Sequence, residues 1–163
     1  MKGLVVYDTH YGNTKKVAEA IVEQIRADGH EAELRSVREK YESPAQGDFL
    51  FVGSPNRMSK VSGKTKRFVK KLDRETWKGK PIAVFVTVGP MPPEPMTEKQ
   101  KADVQKWILN AGPKLRDFAK ARGLNVVDKT FNAAVTANEG PLAEGAIAQV
   151  KQFVHEFLQI AKK

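Results

Sequence analysis

Three segments of this chain are apolar almost throughout: Leu4-Val5-Val6-Tyr7, Phe49-Leu50-Phe51-Val52 and Ile82 through Val88, the last broken only by Thr87. A strand covered on one face alternates apolar with polar residues, so a strand without alternation must be covered on both faces. Amphipathic helices follow these runs. Val17, Ala18, Ile21, Val22 and Ile25 recur at helical spacing up to a cap at Asp28-Gly29. Ser62 caps a helix with the stripe Thr65, Phe68, Val69 and Leu72. Thr97 and Gln100 have capping-box spacing for a helix with Val104, Trp107, Ile108 and Ala111 inward. Gly112-Pro113 breaks or kinks it, and a further helix is expected from Pro113 to about Arg122. Glu31–Val37 alternates as a half-exposed strand, and Leu124–Val135 reads as the last strand. Pro141–Ala161 reads as a terminal helix with Ile147, Val150, Val154, Phe157 and Leu158 on one face. Strands alternating with helices imply an α/β fold: five parallel strands with helices on both faces, one domain over residues 1–163. Such sheets bind ligands beyond the carboxyl ends of their strands. The loops after Tyr7, Val52 and Val88 are therefore the candidate sites.

Composition removes several chemistries. With no cysteine there is no disulfide, thiolate zinc site or cysteine nucleophile. The histidines, at 10, 30 and 155, are too scattered for a metal cluster, so no metal is expected. No apolar run reaches the ~18 residues of a membrane span. The first strand starts too early for a signal peptide, so a cytoplasmic protein is expected, with no membrane partner.

The loop after the first strand, Thr9-His10-Tyr11-Gly12-Asn13-Thr14, leads from a buried strand into a helix. Unpaired amides and the positive helix dipole suit a phosphate there, with two threonine hydroxyls and an asparagine amide as further donors. An ordinary turn with Thr14 as N-cap has the same local chemistry. The longer pattern Val5-Val6-Tyr7-x-Thr9-x-x-Gly12-x-Thr14-x-x-x-Ala18-x-x-Ile21 resembles the phosphate-loop signature of the flavodoxin family at every position. The aromatic before the glycine is most similar to flavo-diiron flavodoxin domains, and an unsplit last strand is similar to short-chain flavodoxins. The resemblance implies a flavodoxin-like fold and FMN as cofactor, its phosphate held without arginine or lysine. It also implies that the third-strand loop (Ser54, Pro55, Asn56, Arg57, Met58) and the fourth-strand loop (Thr87, Val88, Gly89, Pro90, Met91) flank the flavin ring. Neither loop has an aromatic residue. Met58 and Met91 are the polarizable substitutes, with Tyr11 as one aromatic edge; Trp77 and Trp107 are expected to be structural. Gly63-Lys64-Thr65 resembles the end of a Walker A loop, but Met58 stands where that motif needs glycine. No catalytic residue is expected.

The net charge is +9 and unevenly spread: ten basic residues against Asp73 and Glu75 between Arg57 and Lys80 supply +8 of it. Lys60, Lys64, Lys66, Arg67, Lys70 and Lys71 form either a solvated helix face or a docking surface for an acidic redox protein. Flavodoxins are generally acidic, so the patch departs from that family. Nucleic acid is not expected, for lack of interleaved aromatics. The expected function is FMN-based electron transfer. An FMN-dependent reductase or dehydrogenase, of the quinone reductase or protoporphyrinogen dehydrogenase type, is the alternative; a flavin-free interaction module is a third.

Overall fold

The computed structural model describes residues 1–163. Five strands, β1 (Lys2–Tyr7), β2 (Glu31–Ser36), β3 (Phe49–Pro55), β4 (Ile82–Val88) and β5 (Phe131–Ala134), form one parallel sheet in the order β2-β1-β3-β4-β5. The helices are α1 (Asn13–Ala27), α2 (Gly63–Lys71), α3 (Glu98–Trp107), α4 (Ala111–Ala121) and α5 (Ala146–Ala161).

Successive residues of the central strands feed two separate cores. Val5, Phe51 and Phe85 pack with Val17 and Ile21 of α1 and with Val154 and Phe157 of α5. Leu4, Val6, Leu50, Val52 and Val84 pack with Val69 of α2 and Leu115 of α4. This double burial accounts for the missing alternation in the sequence. Strand order reverses direction at β1, between β2 and β3, and the carboxyl-end crevice of the sheet opens beside that switch. No helix is long and apolar enough to cross a membrane.

Three expectations need correction. The last strand is not Leu124–Val135: only Phe131–Ala134 pairs with β4, and Val126 makes an isolated rung with Ile82. Between those rungs the chain has two more residues than β4, and polar Asp128-Lys129-Thr130 leave the ladder. There the carbonyl of Asp128 accepts from Arg116. The terminal helix begins at Ala146 behind a left-handed Gly145, and Phe153 rather than the exposed Ile147 completes its inner face. Finally, α3 buries Val104 alone, and α4 starts at Ala111, with Pro113 in the first turn where a missing N–H costs nothing. Trp77 is structural as expected: it is fully buried and its Nε1 donates to the Ala45 carbonyl at 3.1 Å.

Candidate functional site

Gly12 is the N-cap of α1, with φ 95°, a left-handed conformation that an L side chain adopts only under strain. That turn directs the start of α1 across the end of the sheet. Its N–H donates to Thr9 Oγ1 at 2.9 Å, which leaves the Thr9 hydroxyl hydrogen available. The first intrahelical bond is Lys16 N–H to the Gly12 carbonyl, so the amides of Asn13, Thr14 and Lys15 have no internal acceptor. Thr14 is therefore inside the helix rather than its N-cap. Its hydroxyl, buried, meets that of Thr87 at 2.8 Å, joining the loop after β1 to the end of β4. Asn13 is also buried; its Nδ2 donates to the Asn138 carbonyl at 3.5 Å, while its Oδ1 has no partner.

These groups line a cavity of about 500 Å³ with Thr9, His10, Tyr11, Pro55, Asn56, Arg57, Met58, Val88 and Gly89. The volume lies within the range of small-molecule sites. Its donors are almost all uncharged: Arg57, at the rim, is the one arginine or lysine in the lining. Four expected residues do not line it. Gly12 acts through the turn, and Pro90 and Met91 sit outside it. The Ser54 hydroxyl is used structurally, donating to the Pro55 carbonyl and accepting from Ser62 N–H at 2.8 Å.

Four lining residues escaped the sequence reading: Trp107, Ile108, Val135 and Asn138. Trp107 does not face the core. It is 42% exposed, and its backbone carbonyl accepts from Asn56 Nδ2 at 3.1 Å, which ties the end of α3 to the third-strand loop. The helical stripe misassigned it because α3 ends there, and a last-turn residue is free to face a ligand crevice. Val135 and Asn138 follow β5, whose carboxyl end reaches the same edge of the sheet. The available signal was the carboxyl end of the last strand, which meets the same crevice as the other three.

The third-strand loop is a tight two-residue hairpin. Arg57 and Lys60 exchange both backbone hydrogen bonds, and Met58 (φ 48°) and Ser59 (φ 70°) occupy its corners. Both are left-handed without being glycine, a strained arrangement held by Lys114, whose Nζ donates to Ser59 Oγ at 2.9 Å. Met58 is 73% exposed at the tip. Beside it, Asp8 is almost completely buried. Burial raises its carboxyl pKa, but the Arg38 guanidinium and the Thr9 amide outweigh that and hold it below the ordinary 3.8.

A flavodoxin-domain family model matches residues 4–133 of this chain. A flavodoxin of Aquifex aeolicus (strain VF5) is 42% identical over 93 residues, covering 54% of this chain and 50% of that protein; the chain thus matches about half the length of that curated relative. Among solved structures, a flavodoxin from the domain Archaea is similar with a TM-score of 0.74 and 20% identity over 100% of both chains. Oxidised Flavodoxin 1 from Bacillus cereus has a TM-score of 0.70 and 18% identity over 98% of each chain. The Flv1 flavodiiron core from Synechocystis sp. PCC6803 has a TM-score of 0.68 and 15% identity, covering 99% of this chain and 36% of that one.

Proposed function

Because this chain belongs to the flavodoxin family, whose members bind FMN, we propose that it carries FMN in the cavity after β1 and transfers electrons to an acidic redox protein. The observation that carries this reading is the uncharged cradle. The acceptor-free amides of Asn13 and Thr14, the Thr9 hydroxyl and the Thr14–Thr87 hydroxyl pair all belong to residues that line this one cavity. Preorganised neutral donors with a helix dipole behind them suit a phosphate dianion. The residue set fits FMN on that count, and the unpartnered Asn56 Oδ1 leaves a polar atom for a polar ring.

In this reading Thr9, Asn13 and Thr14 hold the phosphate, with Gly12 shaping the turn. Pro55, Asn56, Arg57, Met58, Thr87, Val88 and Gly89 flank the ring. Trp107 and Tyr11 are the exposed aromatics of the cavity and take the stacking role that Met91 does not reach. Bound FMN supplies one- and two-electron chemistry; the protein supplies affinity, ring environment and partner choice. Lys60, Lys64, Lys66, Arg67, Lys70 and Lys71 are all exposed, as a docking face requires.

Visible spectra before and after adding FMN test the cofactor: a stoichiometric complex is expected, and a colourless protein that takes up no FMN would refute it. For the partner, changing Lys66, Arg67, Lys70 and Lys71 to glutamate should slow reduction of an acidic acceptor, and added salt should slow the wild type. Rates indifferent to both make the patch a solvated face. One observation favours an FMN-dependent reductase as a second reading: another cavity adjoins the first and shares its rim. Steady-state turnover with NAD(P)H and quinones separates an enzyme from a carrier.

A further inference from the structure

Beside the first cavity lies a second of about 590 Å³, sharing His10, Pro55 and Arg57 with it. Arg38, Lys60, Lys64 and Arg67 complete its basic wall, and the start of α2 forms its floor. The charge is unbalanced. Asp8 is the one carboxylate in the lining and is already committed, to Arg38 Nε at 2.5 Å and to the Thr9 amide at 2.9 Å. Arg57, Lys60, Lys64 and Arg67 take part in none of the ion pairs of the chain. Four cations around one concavity repel each other, and a bound polyanion relieves that repulsion.

The floor is built from rigid parts. Ser62 Oγ accepts from Thr65 N–H at 3.2 Å and donates to Thr65 Oγ1 at 2.9 Å, while Ser62 N–H is held by Ser54. The amides of Gly63 and Lys64 have no internal acceptor, and the Cβ position of Gly63 opens onto free space. Gly63 and Lys64 of the incomplete nucleotide motif thus line a basic cavity, with Thr65 buried behind them. Arginine forks and free amides together match the several oxygens of a phosphate group. Concavity separates this region from the rest of the patch: Lys66, Lys70 and Lys71 do not line it.

We propose that this cavity is a second anion site, which binds the phosphate or diphosphate group of a small molecule next to the flavin cavity. The site depends only on its own residues; its proximity to FMN rests on the preceding reading. The test is calorimetric titration of inorganic pyrophosphate into the FMN-loaded full chain at low ionic strength, repeated on the chain without FMN. One saturable site is expected in the FMN-loaded chain, and the same site, with the same dependence on Lys64 and Arg67, in the chain without FMN. Lys64→Gln/Arg67→Gln should weaken it by roughly tenfold or more, through lost charge-assisted hydrogen bonds. Lys70→Gln/Lys71→Gln, an equal change of charge, should weaken it by less than about threefold, as a screened longer-range effect. The amide NMR signals of Gly63 and Lys64 should shift, and adenosine diphosphate should compete if the source is a phosphate ester rather than the free ion. Absence of saturation, or equal losses in the two variants, would overturn the proposal. So would binding of an acidic peptide, but not pyrophosphate, with the same dependence on Lys64 and Arg67. If the chain takes no FMN yet keeps the pyrophosphate site and its dependence, the FMN reading falls and this one stands.

Discussion

The two cavities at the carboxyl edge of the sheet are built on the same plan with opposite electrostatics. Each sits where a helix starts after a strand, α1 after β1 and α2 after β3, and each has backbone amides without acceptors. The first surrounds them with buried neutral hydroxyls and keeps cations away except Arg57. The second surrounds them with exposed lysines and arginines. Fixed dipoles of buried groups give affinity that salt hardly touches, whereas mobile exposed charges give attraction that salt screens over about 8–10 Å. In the two readings proposed above, one chain carries a geometric anion site and an electrostatic one, side by side.

The largest effect should come from breaking the neutral cradle. Thr14→Val should weaken FMN by roughly 1–3 kcal/mol, through one lost charge-assisted hydrogen bond and a Thr87 hydroxyl left without its partner. Riboflavin, lacking the phosphate, should bind far more weakly than FMN. Titration at low and high salt sharpens the contrast: the FMN affinity should change little and the pyrophosphate affinity steeply. Equal affinities for the two flavins would remove the phosphate from the first cavity.

Asp8 lies between the two sites, and Asp8→Asn should alter both stability and charge. Its pKa is depressed in the folded state, so its contribution is present above the ordinary carboxylate value near 3.8 and is lost as pH falls through the folded value. Near neutral pH the variant should lose roughly 1–3 kcal/mol, the worth of hydrogen bonds to a charged group. The loss should shrink below about pH 4. Releasing Arg38 should also tighten pyrophosphate. Denaturant titrations across pH, paired with calorimetry, check both; a deficit constant down to pH 2 contradicts the ion-pair account.

Arg57 belongs to both linings, so its charge reaches the first cavity from the second. A unit charge ~8 Å away at an effective dielectric near 20 is worth roughly 2 kcal/mol, less for an exposed group in salt. Reduction adds negative charge to FMN, which a nearby cation favours. Arg57→Glu should therefore lower the midpoint potential by tens of millivolts, on the scale of 59 mV per tenfold for one electron. A spectroelectrochemical titration decides it: an unchanged or raised potential means the guanidinium points away from the ring.

The smallest effect concerns the hairpin between the cavities. Met58→Gly should stabilise the protein by about 0.5–1 kcal/mol, because the left-handed corner no longer strains a side chain. Ser59→Gly should gain less, since it also deletes the Oγ that Lys114 grips. Thermal unfolding of both variants checks the order.

What the sequence determined by itself was everything governed by local chemistry or by burial averaged over a whole element. The three apolar runs without alternation required double coverage, and β1, β3 and β4 are the buried centre of the sheet. The Thr97–Gln100 capping box and the Ser62 cap form as their spacing implies, because each is closed by neighbours three residues apart. The phosphate-loop pattern is local too: six consecutive residues carry its turn, donors and helix start. Tertiary structure decided what depends on residues far apart in the chain. Trp107 reads as core from its stripe, yet it lines a cavity because α3 ends at it and Asn56, 51 residues away, fixes its carbonyl. The last strand is interrupted where the chain carries two more residues than β4 between its rungs, and there the Asp128 carbonyl bonds Arg116, twelve residues away, instead of the ladder. Charge density along the sequence marked a basic patch. Only the folding of Arg38 and Asp8 against the start of α2 split that patch into a concave pocket and an outer face, since curvature is a property of packed elements and not of residue order.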